Sequence, residues 1–454
     1  MIFSTINPSN EEIIKEYRIP DSSEINQKLT ASESAFNFWR KTSFAFRADL
    51  FQKLSEILLK KNVFLAELMA LEMGKPIAQG IAEAEKCAWV CRYYAENAEQ
   101  FLADEIVKTE ATRSFITFQP IGPILAIMPW NFPFWQVFRF AAPNLMAGNT
   151  GVLKHSRNTM GCAVEIENIF LEAGFPENVF TNLIIGADET ESVIKSSQIK
   201  AVTLTGSTTV GKHVAAVSGS VLKKCVLELG GSDPYIILAD ADLEKTAETC
   251  VNARLINSGQ SCIAAKRFIV EEAIIDEFEE LFTSKMASRV MGNPFDSKVH
   301  LGPQARKDLR NELHQQVISS IERGAKLLLG GEIPEGKGFF YPPTVLTSVS
   351  EGMPARNEEL FGPVASIIKA NDAIDAVKIA NEVSFGLGAA IFSSDIEKAE
   401  HLAKYEIQAG CCFINNFVKS DPRLPFGGIK ESGFGRELST YGIKEFVNIK
   451  TVSY

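Results

Sequence analysis

The chain has 454 residues, 46% hydrophobic and 22% charged, with a formal net charge of −10. That length exceeds one ordinary domain, and the composition is that of a globular protein with full-sized cores. The acidic balance excludes a basic stripe for nucleic acid, no apolar run reaches membrane-spanning length, and the opening residues lack a signal peptide's basic flank, so a cytoplasmic location is expected.

Residues 24–103 read as successive helices, with Phe46, Leu50, Leu54, Ile57 and Leu58, then Phe64, Leu65, Leu68 and Met69, at helical spacing. Gly74-Lys75-Pro76 punctuates the run. Cys87 and Cys91 stand one helical turn apart without further ligands at metal spacing, so they read as core. Eight cysteines without a Cys-x-x-Cys pair, and five histidines without His-Glu-x-x-His, predict neither a disulfide framework nor a metal centre. Ser114–Phe118 alternates as a strand, and Ile124–Met128 is a continuous apolar run, as in a strand covered on both faces. It ends in Pro129-Trp130-Asn131-Phe132-Pro133, at the carboxyl end of a buried strand, where open α/β sheets place ligands. Asn131 is there either a functional donor or a turn-former.

Strand candidates at 151–154, 179–185 and 201–205 alternate with helical stretches, which predicts a parallel sheet. The third runs into Gly206-Ser207, with Gly211 following, a turn opening a helix whose N–H groups suit a phosphate. It departs from Gly-x-Gly-x-x-Gly, so it predicts only a variant Rossmann-type site. Glu228 then ends an apolar strand before Leu229-Gly230-Gly231. A buried carboxylate there requires a partner, or serves as a base with a raised pKa.

The stretch Asn257-Ser258-Gly259-Gln260-Ser261-Cys262 presents a cysteine in a small, polar turn. A cysteine in general is more often a small buried hydrophobe. Small neighbours leave this one open to attack on a substrate, for which the thiolate is needed. Further on, Glu358-Glu359-Leu360-Phe361-Gly362-Pro363 sets an acidic pair against a turn, and residues 425–437 form a glycine-dense loop.

In order and spacing, the Pro-Trp-Asn-Phe-Pro, Thr-Gly-Ser, Glu-Leu-Gly-Gly, Gly-Gln-Ser-Cys, Glu-Glu-Leu-Phe-Gly-Pro and Pro-Phe-Gly-Gly stretches resemble the aldehyde dehydrogenase superfamily over nearly the whole chain. The resemblance implies an α/β fold: a Rossmann-type cofactor domain over 1–108 and 123–229, an α/β catalytic domain over 230–435, and a small β oligomerisation arm from 109–122 and 436–454. It implies a homodimer or homotetramer acting on a small-molecule aldehyde. Cys262 would attack the aldehyde, Asn131 would stabilise the oxyanion, and Glu228 would activate the water that releases the acid. Trp130, Lys154, Ser156, Arg157, Gly206, Ser207, Gly211, Leu229, Glu359 and Phe361 would hold NADP or NAD. Phe132, Ser261 and Phe426 would line the substrate tunnel.

One departure bears on the cofactor. NAD-preferring members often carry a glutamate three residues after the lysine that matches Lys154; here Arg157 stands instead. An arginine removes the repulsion of a 2′-phosphate and could pair with it, or could face solvent and touch nothing. Arg139 matches an arginine that succinate-semialdehyde dehydrogenases use on the substrate carboxylate, although a helix-packing arginine would look the same. The second arginine of that clamp is Ile256 here, so Arg254 or Arg423 is expected to substitute. The alternatives are an uncharged aliphatic or aromatic aldehyde as substrate, or a catalytically silent relative, which the presence of all three catalytic residues disfavours. A coenzyme-A-acylating enzyme would not need Glu228.

Overall fold

The structure, a computed structural model, describes residues 2–454. It opens on a hairpin, Ile2–Ile6 against Ile13–Arg18, not anticipated from the sequence. Four helices follow, Ser22–Trp39, Phe44–Lys60, Asn62–Met73 and Ile77–Phe101, matching the expected run. Their ends carry local signals. Asp21 caps the first in a reciprocal box with Glu24, and Gly74, at φ +76°, closes the third in the left-handed conformation that favours glycine.

The cofactor-type sheet has six strands in the order Gly433–Phe434, Lys224–Glu228, Ala201–Thr205, Pro123–Met128, Thr150–His155 and Phe180–Asn182. All pair in parallel except the first. The chain starts in the middle with Pro123–Met128, proceeds outward on one side, then returns to build the other. The order therefore reverses between Pro123–Met128 and Ala201–Thr205. Ligands bind outside the carboxyl ends of strands at such a point. Every residue of Pro123–Met128 is buried. Ile124, Ala126 and Met128 join the core under the helices, while Leu125 and Ile127 join the core on the other face. Period-two alternation thus feeds two cores from one apolar run.

A second sheet of seven strands runs Lys326–Leu329, Thr344–Thr347, Val364–Ala370, Arg267–Glu271, Pro234–Ile237, Gly388–Phe392 and Cys411–Ile414, with only its first pair antiparallel. It too carries a core on each face. A third, antiparallel sheet of Val447–Ser453, Ser114–Pro120 and Glu105–Val107 forms the arm.

Two expected boundaries move. Glu105–Val107 pairs within the arm sheet although it was assigned to the cofactor domain, because its backbone finds partners only there. Gly433–Phe434, assigned to the catalytic domain, closes an edge of the cofactor-type sheet against Leu227 and Glu228. Cys87 and Cys91 are fully buried in the main core. Among the described residues there is no cluster of metal-ligating side chains, and no helix is long and apolar enough to cross a membrane.

Candidate active site

Cys262 follows the helix Leu243–Leu255 and a strained turn in which Asn257 and Ser258 have φ of 53° and 56° and Gly259 has φ +76°. Two adjacent non-glycine residues there cost on the order of 1–3 kcal/mol each and persist only where surroundings over-determine them. The surroundings do so. Arg254 donates to the Gly259 carbonyl at 2.7 Å, and Asn257 Nδ2 donates to the carbonyls of Asn131 and Gln260 at 2.7 and 3.0 Å. Ala305 N–H donates to Gln260 Oε1 at 2.8 Å. Lys266 Nζ gathers the carbonyls of Ser261, Cys262 and Ala264 at 3.1, 2.8 and 3.1 Å. Gly259 is obligatory, since a Cβ would run into the Gly362–Pro363 backbone.

The half-buried Cys262 lines two cavities, one of about 500 Å³ and one of about 790 Å³, so it stands where they meet. Burial pushes its thiol up to about 12, with Arg139 and Lys266 pulling the other way. Asn131 is buried beside it, its Nδ2 donating to Gln260 O at 3.1 Å and its Oδ1 unpartnered. An amide held by one bond, aimed at a nucleophile loop, suits stabilisation of charge developing there.

Glu228 ends its strand fully enclosed, and neither carboxylate oxygen has a partner. Burial first, and Glu437 second, hold its pKa well above the usual carboxylate range, against the pull of Arg139 and Arg436. A Cβ at Gly427 would stand 2.8 Å from Glu228 Oε1, so glycine makes the room this side chain occupies. Glu228 lies outside the lining of both cavities in this conformation.

The larger cavity opens at the topological reversal and is lined by Trp130, Asn131, Gly206, Ser207, Leu229, Glu359 and Phe361. Ser207 lines it and caps the helix Thr208–Ser220, and the N–H groups of a helix's first turn suit a phosphate. Glu359 is fixed by Gly231 N–H at 3.1 Å and by Lys266 Nζ at 3.6 Å, and a Cβ at Gly230 would collide with its carboxylate. Trp130 and Phe361 meet edge to face at 5.8 Å. A capped helix start, a half-buried carboxylate and an aromatic wall in one groove fit a nicotinamide dinucleotide. Lys154, Ser156 and Arg157 lie beyond that lining, where the neighbouring strand Thr150–His155 ends. Arg157 is exposed without an acidic partner among the described residues, and burial followed by Arg157 depresses the Lys154 ammonium. Gly211 also lies outside that lining, and its missing side chain lets the helix close onto Leu229.

The smaller cavity is lined by Phe132, Trp135, Arg139, Ser261, Cys262 and Phe426, together with Lys86 and Ser420, which the sequence did not single out. Arg139 is buried, ion-paired to Glu437, bonded to Thr205 Oγ1 at 3.3 Å, and stacked over Phe426 at 4.8 Å. Two expectations fail. Arg254 is fully buried behind the nucleophile loop, because its guanidinium holds the Gly259 carbonyl. Arg423 stands outside the cavity, paired with Asp421 at 2.7 Å and lying over Trp89. Neither can meet a substrate there.

A family model for the aldehyde dehydrogenase family matches residues 1–452. The chain belongs to the aldehyde dehydrogenase family. It is 47% identical over 452 residues to a probable NADP(+) succinate-semialdehyde dehydrogenase of Synechocystis sp., covering 100% of this chain and 99% of that one. It is 46% identical over 448 residues to the NAD(P)+ succinate semialdehyde dehydrogenase Sad of Escherichia coli, covering 99% and 97%. Among solved structures, succinic semialdehyde dehydrogenase from Streptococcus pyogenes, in complex with NADP+, superposes with a TM-score of 0.97 at 36% identity, covering 100% of this chain and 99% of that one. The aldehyde dehydrogenase fold expected from the motifs is thus the fold of this chain.

Proposed function

We propose that this aldehyde dehydrogenase oxidises succinate semialdehyde to succinate with NADP, and accepts NAD. The observation that carries the substrate is a cavity that ends at Cys262, whose surface is largely apolar and whose lining includes the cations Lys86, Arg139, Arg289 and Lys419. A carboxylate entering an apolar space needs such a partner. The names of the full-length relatives point the same way. NADP is preferred in this reading because Lys154 and Arg157 leave a cationic, acid-free flank for a 2′-phosphate.

Cys262 Sγ, as thiolate, bonds to the aldehyde carbon, and Asn131 Nδ2 receives the oxyanion. When bound, NADP supplies the hydride acceptor. With hydride gone from the former aldehyde carbon, a thioester remains on Sγ. Glu228, once deprotonated, takes a proton from water as its oxygen bonds to that carbon, and the C–S bond breaks to free the acid. The arm supports assembly into a homodimer or homotetramer: Ile106 and Ile449 are 67% and 61% exposed on its strands.

The test is steady-state formation of NADPH and NADH from succinate semialdehyde, butanal and benzaldehyde. A clear kcat/KM preference for the semialdehyde supports the assignment. An uncharged aldehyde oxidised faster removes it while leaving the family chemistry intact. That second reading has one observation in its favour, the ion pair that ties Arg139 to Glu437.

A further inference from the structure

Four side chains that line the smaller cavity are lysines or arginines: Lys86, Arg139, Arg289 and Lys419. Two have acids of their own. Arg139 pairs with Glu437, and Arg289 with Glu248. The acid nearest to hand in the lining, Glu83, is also committed: it pairs with Lys75 and accepts the N–H groups of Phe134 and Trp135, each at 2.9 Å. Asp421, behind Ser420, is taken by Arg423. Lys86 and Lys419 have no acidic partner among the described residues. Lys419 is exposed, with its ammonium 5.8 Å from the Phe417 ring. Lys86 is different. It is half-buried on the helix Ile77–Phe101, its Nζ held between Ser420 Oγ at 2.9 Å and the Trp135 ring at 4.2 Å.

We propose that Lys86, steadied by Ser420 and Trp135, is the specificity-determining cation that receives the substrate's distal carboxylate, while Arg139 serves chiefly to hold Glu437. This rests on the reading that the substrate is a semialdehyde bearing a carboxylate. Arg139 with Glu437 is electrically neutral as a pair, so it offers hydrogen-bond donors but little net attraction for a desolvated anion. An ammonium has three donors, and Lys86 uses one on Ser420, which leaves two for carboxylate oxygens. No carboxylate pairs with it directly: burial, then Arg139, pushes the Lys86 ammonium down to about 8 against the weaker pull of Glu83 and Asp421, which are engaged elsewhere. An incoming carboxylate relieves both effects. Trp135, beneath the ammonium, keeps the lysine from swinging to solvent.

The experiment compares wild type, Lys86→Met, Lys86→Arg and Lys419→Met on succinate semialdehyde and on butanal, an uncharged aldehyde of equal chain length. Lys86→Met is expected to raise KM for the semialdehyde roughly 10- to 100-fold, the worth of a charge-assisted contact, with butanal kcat/KM unchanged within about two-fold. Lys86→Arg should recover most of the loss, and Lys419→Met should change little. Equal losses on both aldehydes, an unaffected semialdehyde KM in Lys86→Met, or the same selective loss in Lys419→Met would each overturn the proposal. A wild type that prefers the semialdehyde while Lys86→Met does not differ from it defeats Lys86 alone. A wild type that oxidises butanal as well as the semialdehyde defeats the substrate reading, and Lys86 falls with it.

Discussion

Arg139 and Glu437 form an ion pair inside the protein, 298 positions apart in sequence numbering, with side chains 2% and 7% exposed. Glu228 is close enough to Glu437 to feel its charge, so one arginine serves two enclosed carboxyl groups. Arg139→Ala strands both. Breaking a buried pair from one side costs about 3–5 kcal/mol, and the loss should appear with every aldehyde, charged or not. It should also depend on pH. Burial holds the Glu437 pKa above its ordinary value, so its contribution to stability is complete below the unfolded carboxylate pKa and is lost as pH rises through the folded one. Without Arg139 that loss deepens, so urea melts should place variant and wild type closer at pH 5.5 than at pH 8. A stable variant impaired only on succinate semialdehyde would return Arg139 to the role of a simple carboxylate receptor.

Burial favours the thiol form of Cys262 over the thiolate. With its pKa pushed to about 12 by burial, the thiolate fraction should grow about ten-fold per pH unit across pH 7–9 without levelling off. Iodoacetamide labelling of Cys262, followed by peptide mass spectrometry, reads this directly. A plateau near pH 8 would show that Arg139 and Lys266 outweigh burial.

In the proposed mechanism Glu228 acts after hydride transfer, so its loss should separate the two halves of the reaction. Glu228→Gln should keep a stoichiometric burst of NADPH and lose roughly 10²- to 10⁴-fold in steady-state rate, with an acyl group retained on Cys262. Its raised pKa means that the base form gains ground as pH rises, so wild-type deacylation should accelerate from pH 6 to pH 9. Absence of a burst in the variant would place Glu228 in the first half-reaction instead.

Arg157 should decide between cofactors. In the proposed binding mode Arg157→Glu puts a carboxylate beside the 2′-phosphate, and NADP kcat/KM should fall roughly 10- to 100-fold while NAD is spared or improved. Parallel titrations of both cofactors check it. An equal change for both would leave Arg157 as a surface side chain.

What the sequence determined is what lies close along the chain. The turn after Ile124–Met128, the Gly206–Ser207 helix start and the Glu228 strand end were legible from residue type and period, as was the small, polar character of the Cys262 turn, whose strained geometry distant partners such as Asn131 and Ala305 hold. The strand–helix alternation likewise carried the parallel sheet. The opening hairpin and Glu105–Val107 were not legible, because short strands exposed on one or both faces have no apolar pattern and exist only by pairing. The charges were least legible of all. Whether an arginine is free or committed depends on a partner far away in the chain, and sequence carries no signal of it. Arg254 is tied to the Cys262 loop, Arg423 to Asp421 and Arg139 to Glu437, whereas of the two lysines in the cavity lining Lys419 is exposed and Lys86 is half-buried beside Ser420, 334 residues distant. Burial makes each unmatched charge costly, so the tertiary fold, by choosing the partners, decided which cation remains available to a substrate.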